Sequence, residues 1–258
     1  MSRSVIALDF DGVIADSAGE SFDVALLTYA EFRPDSDLVP LVDPKHPKRA
    51  ALYRDFLVLM ALGNRAEDYA VALDAIESGR PIPDQSAYNR AFSEHAPEFL
   101  QAFHQRLYEN RDRLRDADPE SWCRGVPAYP GFAELLLRRR SDAHWCVATA
   151  KDRPSVDLLL ASYELSEVFD PALICDKTLG RDKAAHMSVI ADRLRVTCRE
   201  ITFVDDKLNH LENVAPLGVR CVLAAWGYNG VREQNEAADR GFRVATLGNL
   251  EEILLPER

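Results

Sequence analysis

A chain of 258 residues with 47% apolar residues is long enough for one sizeable core and a second, smaller unit. Its formal net charge of −11 argues against nucleic acid as a general partner, although a cation and a few local basic groups would still admit a small anionic ligand. Five scattered cysteines, Cys123, Cys146, Cys175, Cys198 and Cys221, with no Cys-x-x-Cys pair, predict small core residues in a reducing compartment and no zinc centre. The first residues show no signal-peptide pattern, and the longest apolar run, Phe56 to Leu62, is too short for a bilayer. A cytoplasmic protein without a membrane partner is expected.

The chain opens with an apolar run from Val5 to Leu8 that stops abruptly at Asp9-Phe10-Asp11-Gly12. A buried strand carries its terminal residues to the edge where open parallel sheets place their ligand crevice. If the strand continued, alternation would set Asp9 and Asp11 on one side, and two carboxylates that close repel unless a cation or proton lies between them. Strand-to-turn chemistry alone also favours Asp and Gly at such a place.

Residues 17–126 then read as helical. Apolar residues recur at three-to-four spacing in Phe22 to Leu27, in Leu52 to Met60 and in Phe99-Phe103-Leu107, and Pro34, Pro40, Pro44, Pro47, Pro81 and Pro83 punctuate the gaps. A basic stretch, Asp43-Pro44-Lys45-His46-Pro47-Lys48-Arg49, lies within this region and reads first as a solvated face, with an anionic substrate tail as the alternative partner.

From Val126 onward the pattern alternates. Strands are expected at His144–Thr149, Ala172–Cys175, Ile201–Val204, Val219–Leu223 and Phe242–Leu247. Helices are expected at 131–140, 154–162, 182–195, 208–217, 233–239 and 250–254. Short connections between alternating elements imply right-handed crossovers and a parallel sheet covered on both faces. The first strand has no partner unless it joins that sheet. The expected fold is therefore α/β, a Rossmann-like parallel core from residues 1–16 and 127–258, interrupted by an all-helical insert at 17–126.

Four groups fall at expected strand tips or beside them: Asp9 to Gly12, then Thr149, then Lys183 near a helix start, then Asp205-Asp206. Parallel strands bring such tips to one edge, where acids, a hydroxyl and an ammonium suit a divalent cation with a phosphoryl group. Each member has an ordinary alternative. Thr149 could be a strand-end hydroxyl, Lys183 a solvated helix residue with Arg181 competing for its role, and Asp205-Asp206 a helix N-cap pair.

The order Asp-x-Asp-Gly, Thr, Lys, Asp-Asp resembles the haloacid dehalogenase superfamily, and the likeness spans essentially the whole chain. Its helical insert is similar to the larger cap of phosphoglycolate phosphatase-like and phosphomutase-like members, and Ala225-Trp226-Gly227-Tyr228 resembles a stretch of the former. The resemblance implies an Mg²⁺-dependent phosphatase acting on a small phosphorylated metabolite. Asp9 would be nucleophile and metal ligand, Asp11 the acid–base group with a carbonyl ligand to the metal. Asp206, with Asp205 close by or acting through water, would complete the metal set. Thr149, Lys183 and Gly12 would bind phosphate. Asp11 disfavours the dehalogenase and phosphonate-cleaving branches, whereas a phosphomutase needs the same residues and remains open, as does a phosphometabolite-binding module without catalysis. Oligomeric state is not legible.

Overall fold

The computed structural model describes residues 3–180 and 182–255. Its contacts divide the chain into two compact units, one built from residues up to Ser17 together with those from Val126 onward, the other from Ala18–Gly125.

The first unit is a six-stranded sheet in which every pair is parallel. Its strands are β1 (Ser4–Leu8), β2 (Ala143–Ala148), β3 (Ile174–Cys175), β4 (Ile201–Asp205), β5 (Arg220–Ala224) and β6 (Arg243–Ala245), in spatial order β3-β2-β1-β4-β5-β6. Strand β1 is central, with Ile6 opposite Trp145 on one side and Thr202 on the other. Ile6, Ala7 and Leu8 are fully buried, which explains their continuous apolar run: a strand covered on both faces has no polar side to present. On one face Val5, Ala7, Cys146, Ala148, Phe203 and Leu223 form a core with Met187, Ile190, Leu211 and Val214 from two covering helices. Cys146, Cys175 and Cys221 are buried as free thiols. From β1 the chain builds outward to β2 and β3, then returns to build β4, β5 and β6 on the opposite side. That reversal beside β1 is the switch point at which open sheets of this type form their crevice.

The second unit holds helices α1 (Ala18–Phe32), α2 (Arg49–Met60), α3 (Ala66–Glu77), α4 (Gln85–Ser93), α5 (Pro97–Ala117) and α6 (Pro119–Arg124). The periodic stretches of the sequence lie on α1, α2 and α5. Helix α3 escaped that reading because Ala70, Val71, Ala72 and Leu73 are all buried, so it shows no polar stripe. Asp84 caps α4 by accepting from the Ala87 N–H, and Asp118 caps α6 just ahead of Pro119. Phe22 packs against Tyr53 and Phe56, while Phe32 packs against Phe99 and Phe103. A buried ion pair joins Arg111 to both carboxylate oxygens of Glu20 at 2.8 Å each, and Trp122 Nε1 donates to the same carboxylate. Arg49, from the basic stretch, bonds to Asp23 and to the Leu41 carbonyl inside this unit.

The remaining helices belong to the sheet unit: α7 (Phe132–Arg138), α8 (Arg153–Ser162), α9 (Lys183–Leu194), α10 (Leu208–Val214), α11 (Val231–Asp239) and α12 (Leu250–Leu254). Among the described residues no helix is long and apolar enough to cross a membrane.

Candidate active site

Strand β1 ends at Leu8, one residue before the first carboxylate, while the Asp9 N–H still bonds to the Val204 carbonyl at 2.9 Å. The chain then turns sharply. The Phe10 carbonyl accepts from the amides of Val13, Ile14 and Ala15, and Gly12 takes φ +80°. Asp11 therefore leaves the strand, and alternation no longer governs its direction. Its carboxylate is partly exposed and pairs with Lys151 Nζ at 3.0 Å, whereas Asp9 is buried.

Lys183 is the first residue of α9, behind the N-cap Asp182, whose side chain accepts from the Ala184 N–H. Its ammonium is 2% exposed and lies 2.9 Å from Asp9 Oδ1, 3.4 Å from Asp205 Oδ2 and 2.6 Å from the Ala148 carbonyl. One lysine thus joins the ends of β1, β2 and β4. Burial works to lower its pKa, but Asp9 and Asp205 outweigh this and raise it, so the ammonium stays charged. Arg181, the alternative cation, lies outside the described residues.

Thr149 follows β2 and is buried. Its N–H bonds to the Cys175 carbonyl, and its hydroxyl oxygen accepts from the Lys151 N–H at 3.1 Å. That turn sets Lys151 beside Asp11. Lys151 was missed in the sequence, where its position two residues past a strand-tip hydroxyl does not reveal the direction of its side chain.

The two acids after β4 differ in their surroundings. Asp205 is saturated with donors: the Lys207 N–H at 2.8 Å, His210 Nδ1 at 3.0 and 3.1 Å, and Lys183. Burial pushes its carboxyl up, but His210 and Lys183 prevail and hold it at about 2. Asp206 receives the Tyr228 N–H on Oδ2 at 2.7 Å, and its Oδ1 is buried without a hydrogen-bond partner. Burial, opposed by Lys207 and aided by Asp205 and Asp9, pushes Asp206 up to about 7. Asp9 is raised too, by burial against the pull of Lys183.

Space around Asp206 is kept by two glycines. A Cβ on Gly12 would stand 2.5 Å from Asp206 Oδ2, and one on Gly227 would stand 2.3 Å from Asp206 Cβ and 2.4 Å from the Gly12 carbonyl. The Gly12 N–H is taken by the Ala15 carbonyl, so its contribution here is clearance for a carboxylate rather than an amide offered to phosphate.

These contacts bring Asp9, Lys183, Asp205 and Asp206 together at the switch point, with Thr149 and Asp11 attached through Lys151. They also test whether a cation suits the site. An unpaired buried carboxylate oxygen on Asp206, a second raised carboxyl on Asp9 and hard oxygen donors all fit Mg²⁺. Asp9, Asp205 and His210 also have potential ligand atoms within 4.8 Å of one another. Asp205, however, has its oxygens committed to three donors and is better suited to orient Lys183 and His210 than to bind an ion directly. His210, five residues after Asp205, was the other group the sequence reading passed over.

Stability should carry the signature of Asp206. A carboxyl raised from 3.8 to about 7 contributes stability that is present below about pH 4 and lost as pH rises through 7. Asp9 shifts in the same direction, and Asp205 titrates below this window. We expect the metal-free protein to lose several degrees of Tm between pH 5 and pH 8, on the order of a few kcal/mol. Mg²⁺ should restore more at pH 8 than at pH 5. Calorimetry of the wild type and of Asp206→Asn checks this, because the variant should flatten the slope; an equal slope in both would remove Asp206 from its assigned place.

The arrangement is that of an α/β protein whose parallel sheet gathers acidic groups and a buried lysine at its switch point. The family model for haloacid dehalogenase-like hydrolases matches residues 4–213, and the chain belongs to that family. Among solved structures, a haloacid dehalogenase-like family protein from Streptococcus pneumoniae aligns at TM-score 0.64 with 13% identity, over 97% of each chain. A provisionally named phosphoglycolate phosphatase from Lactobacillus delbrueckii subsp. bulgaricus aligns at TM-score 0.68 with 16% identity, over 100% of each. A family hydrolase from Deinococcus radiodurans, with phosphate and sodium bound, aligns at 0.58 with 18% identity, over 98% of this chain and 95% of that one. At such identities the likeness is one of fold. No curated protein matches the sequence.

Proposed function

We propose that this hydrolase is an Mg²⁺-dependent phosphatase that cleaves the phosphate monoester of a small metabolite through a phosphoaspartyl intermediate on Asp9. The observation that carries the reading is the buried Lys183 ammonium, 2.9 Å from Asp9, beside the unpaired oxygen of Asp206. The phosphate bound in the Deinococcus relative supports it.

Charge explains why the site suits a phosphoryl group. Among the described residues, Asp9, Asp11, Asp205 and Asp206 face Lys151, Lys183 and Lys207 as fixed cations, and a phosphate dianion would be repelled. Asp9, Asp206 and the Asp11 carbonyl would hold Mg²⁺, whose two charges reverse that balance and polarise the phosphoryl oxygens.

A carboxylate oxygen of Asp9 attacks phosphorus as the bond to the leaving oxygen breaks, and Asp11 gives its proton to that oxygen. Asp11 then takes a proton from water as the water oxygen attacks phosphorus. The bond from phosphorus to Asp9 breaks, and inorganic phosphate leaves. Lys183 balances charge on the transferring group, the Thr149 hydroxyl donates to it, and Lys151 orients Asp11. Asp205 holds Lys183 in place from behind. The helical unit, by the same reading, is a cap that selects the leaving group.

A chelator should abolish phosphate release from a panel of phosphorylated metabolites, and added Mg²⁺ should restore it. Phosphate release that survives exhaustive chelation would contradict the reading. Conversion of a hexose phosphate to its isomer, without free phosphate, would make the enzyme a mutase.

A further inference from the structure

The loop after β5 touches Asp206 in a way the chemistry alone does not require. Residues 225–229 read Ala-Trp-Gly-Tyr-Asn, and the Tyr228 N–H donates to Asp206 Oδ2 at 2.7 Å. Lys207 Nζ donates to the Tyr228 carbonyl at 2.8 Å, and Asn229 Nδ2 donates to the Asp206 carbonyl at 3.1 Å. The backbone of Tyr228 is thus built into the setting of the candidate cation ligand.

Its side chain goes elsewhere. The buried Tyr228 hydroxyl accepts from the Ser17 N–H at 2.6 Å, lies 3.2 Å from Ser17 Oγ and donates to Asp16 Oδ1 at 3.3 Å. It also shares a hydrogen bond with Tyr129. Asp16 and Ser17 are the last residues of the sheet unit before the chain departs, and Tyr129 lies just after it returns at Val126. The two segments are tied to each other by the Asp16 N–H to the Pro127 carbonyl at 2.8 Å and the Tyr129 N–H to the Ile14 carbonyl at 3.0 Å. Trp226 Nε1 adds a bond to the Val13 carbonyl.

We propose that Tyr228 is a positioning residue that couples cation occupancy at Asp206 to the order of the two chain crossings, Asp16–Ser17 and Val126–Tyr129. The inference rests on Asp206 being a cation ligand. One rigid aromatic side chain, with few rotatable bonds, links an amide fixed on the carboxylate to a hydroxyl fixed on the departing backbone. An ion drawn to Asp206 Oδ1 draws on the carboxylate whose other oxygen Tyr228 holds, and the ring passes that restraint to Ser17. The coupling is reciprocal, so ordered crossings favour the bound ion.

Hydrogen exchange read by mass spectrometry, with and without MgCl₂ and alongside Mg²⁺ titration calorimetry, tests this on the full chain. In the wild type Mg²⁺ should slow exchange in peptides covering residues 10–17 and 126–130 by about fivefold, the factor that one net hydrogen bond carries. Tyr228→Phe keeps the backbone bond to Asp206 and loses the hydroxyl. Mg²⁺ should still bind, with Kd within about tenfold of the wild type, while the slowing at the crossings disappears. Ser17→Pro removes the same hydrogen bond from its other end and should reproduce the effect if Tyr228→Phe folds poorly. Retained slowing in both variants, or its absence in a wild type that binds Mg²⁺, overturns the inference and leaves the phosphatase reading intact. A wild type that binds no Mg²⁺ overturns both.

Discussion

Asp9→Asn is expected to release no measurable phosphate from an aryl phosphate, a fall of at least about 10⁴-fold, because an amide cannot form the phosphoaspartyl bond. The fold should survive. Asn retains an oxygen that can accept from Lys183 at the position of Asp9 Oδ1, and Lys183 keeps Asp205 as its partner at 3.4 Å. The Tm should equal or exceed that of the wild type, since burial and Asp205 both work against a charged carboxyl at Asp9. Circular dichroism and a phosphate assay on the same preparation decide the matter. Turnover within tenfold of the wild type would end the assignment of Asp9 as nucleophile.

Lys183→Met should lose both stability and activity, for separable reasons. Methionine keeps the apolar stem but removes the charge facing Asp9 and Asp205, both buried. Stranding buried carboxylates costs about 3–5 kcal/mol, which for a chain of this size lowers Tm by roughly 10 °C. Activity should fall by at least about 10²-fold, because charge on the transferring phosphoryl group is no longer balanced. The double variant Lys183→Met/Asp205→Asn removes part of the stranded charge, so it should recover Tm without recovering turnover. Recovery of both would make Lys183 a structural residue only.

The sheet was legible because its buried strands are mostly apolar and its helices lie between them at short spacing. Ile201–Val204 was expected and Ile201–Asp205 is found; 182–195 was expected as a helix and Lys183–Leu194 is found. Lys183 and Asp205-Asp206 could be placed because tips of parallel strands share an edge. What escaped depends on side-chain direction. Lys151 and His210 join the site by reaching back from a turn and from the first turn of α10, and nothing in spacing alone says which way a flexible side chain reaches. The expectation that Asp9 and Asp11 share a strand face fails for a local reason, since the ladder stops at Asp9 and the Gly12 turn redirects the chain. The different states of Asp205 and Asp206 were equally invisible, because they arise from donors as distant as Lys183 and Tyr228.

The central place of β1 bears on how the molecule is made. Its residues are translated before the neighbours that complete it, Ala143–Ala148 and Ile201–Asp205, which follow more than a hundred residues later. At roughly 5–20 residues per second this strand waits on the order of 7–27 s with both hydrogen-bonding edges bare, and longer for the second. Meanwhile the helices of Ala18–Gly125, which carry their own aromatic interior, emerge complete. Nascent chains of this protein therefore pass through a stage in which a strand with bare edges precedes a bundle already made, and that stage is the one most open to mispairing.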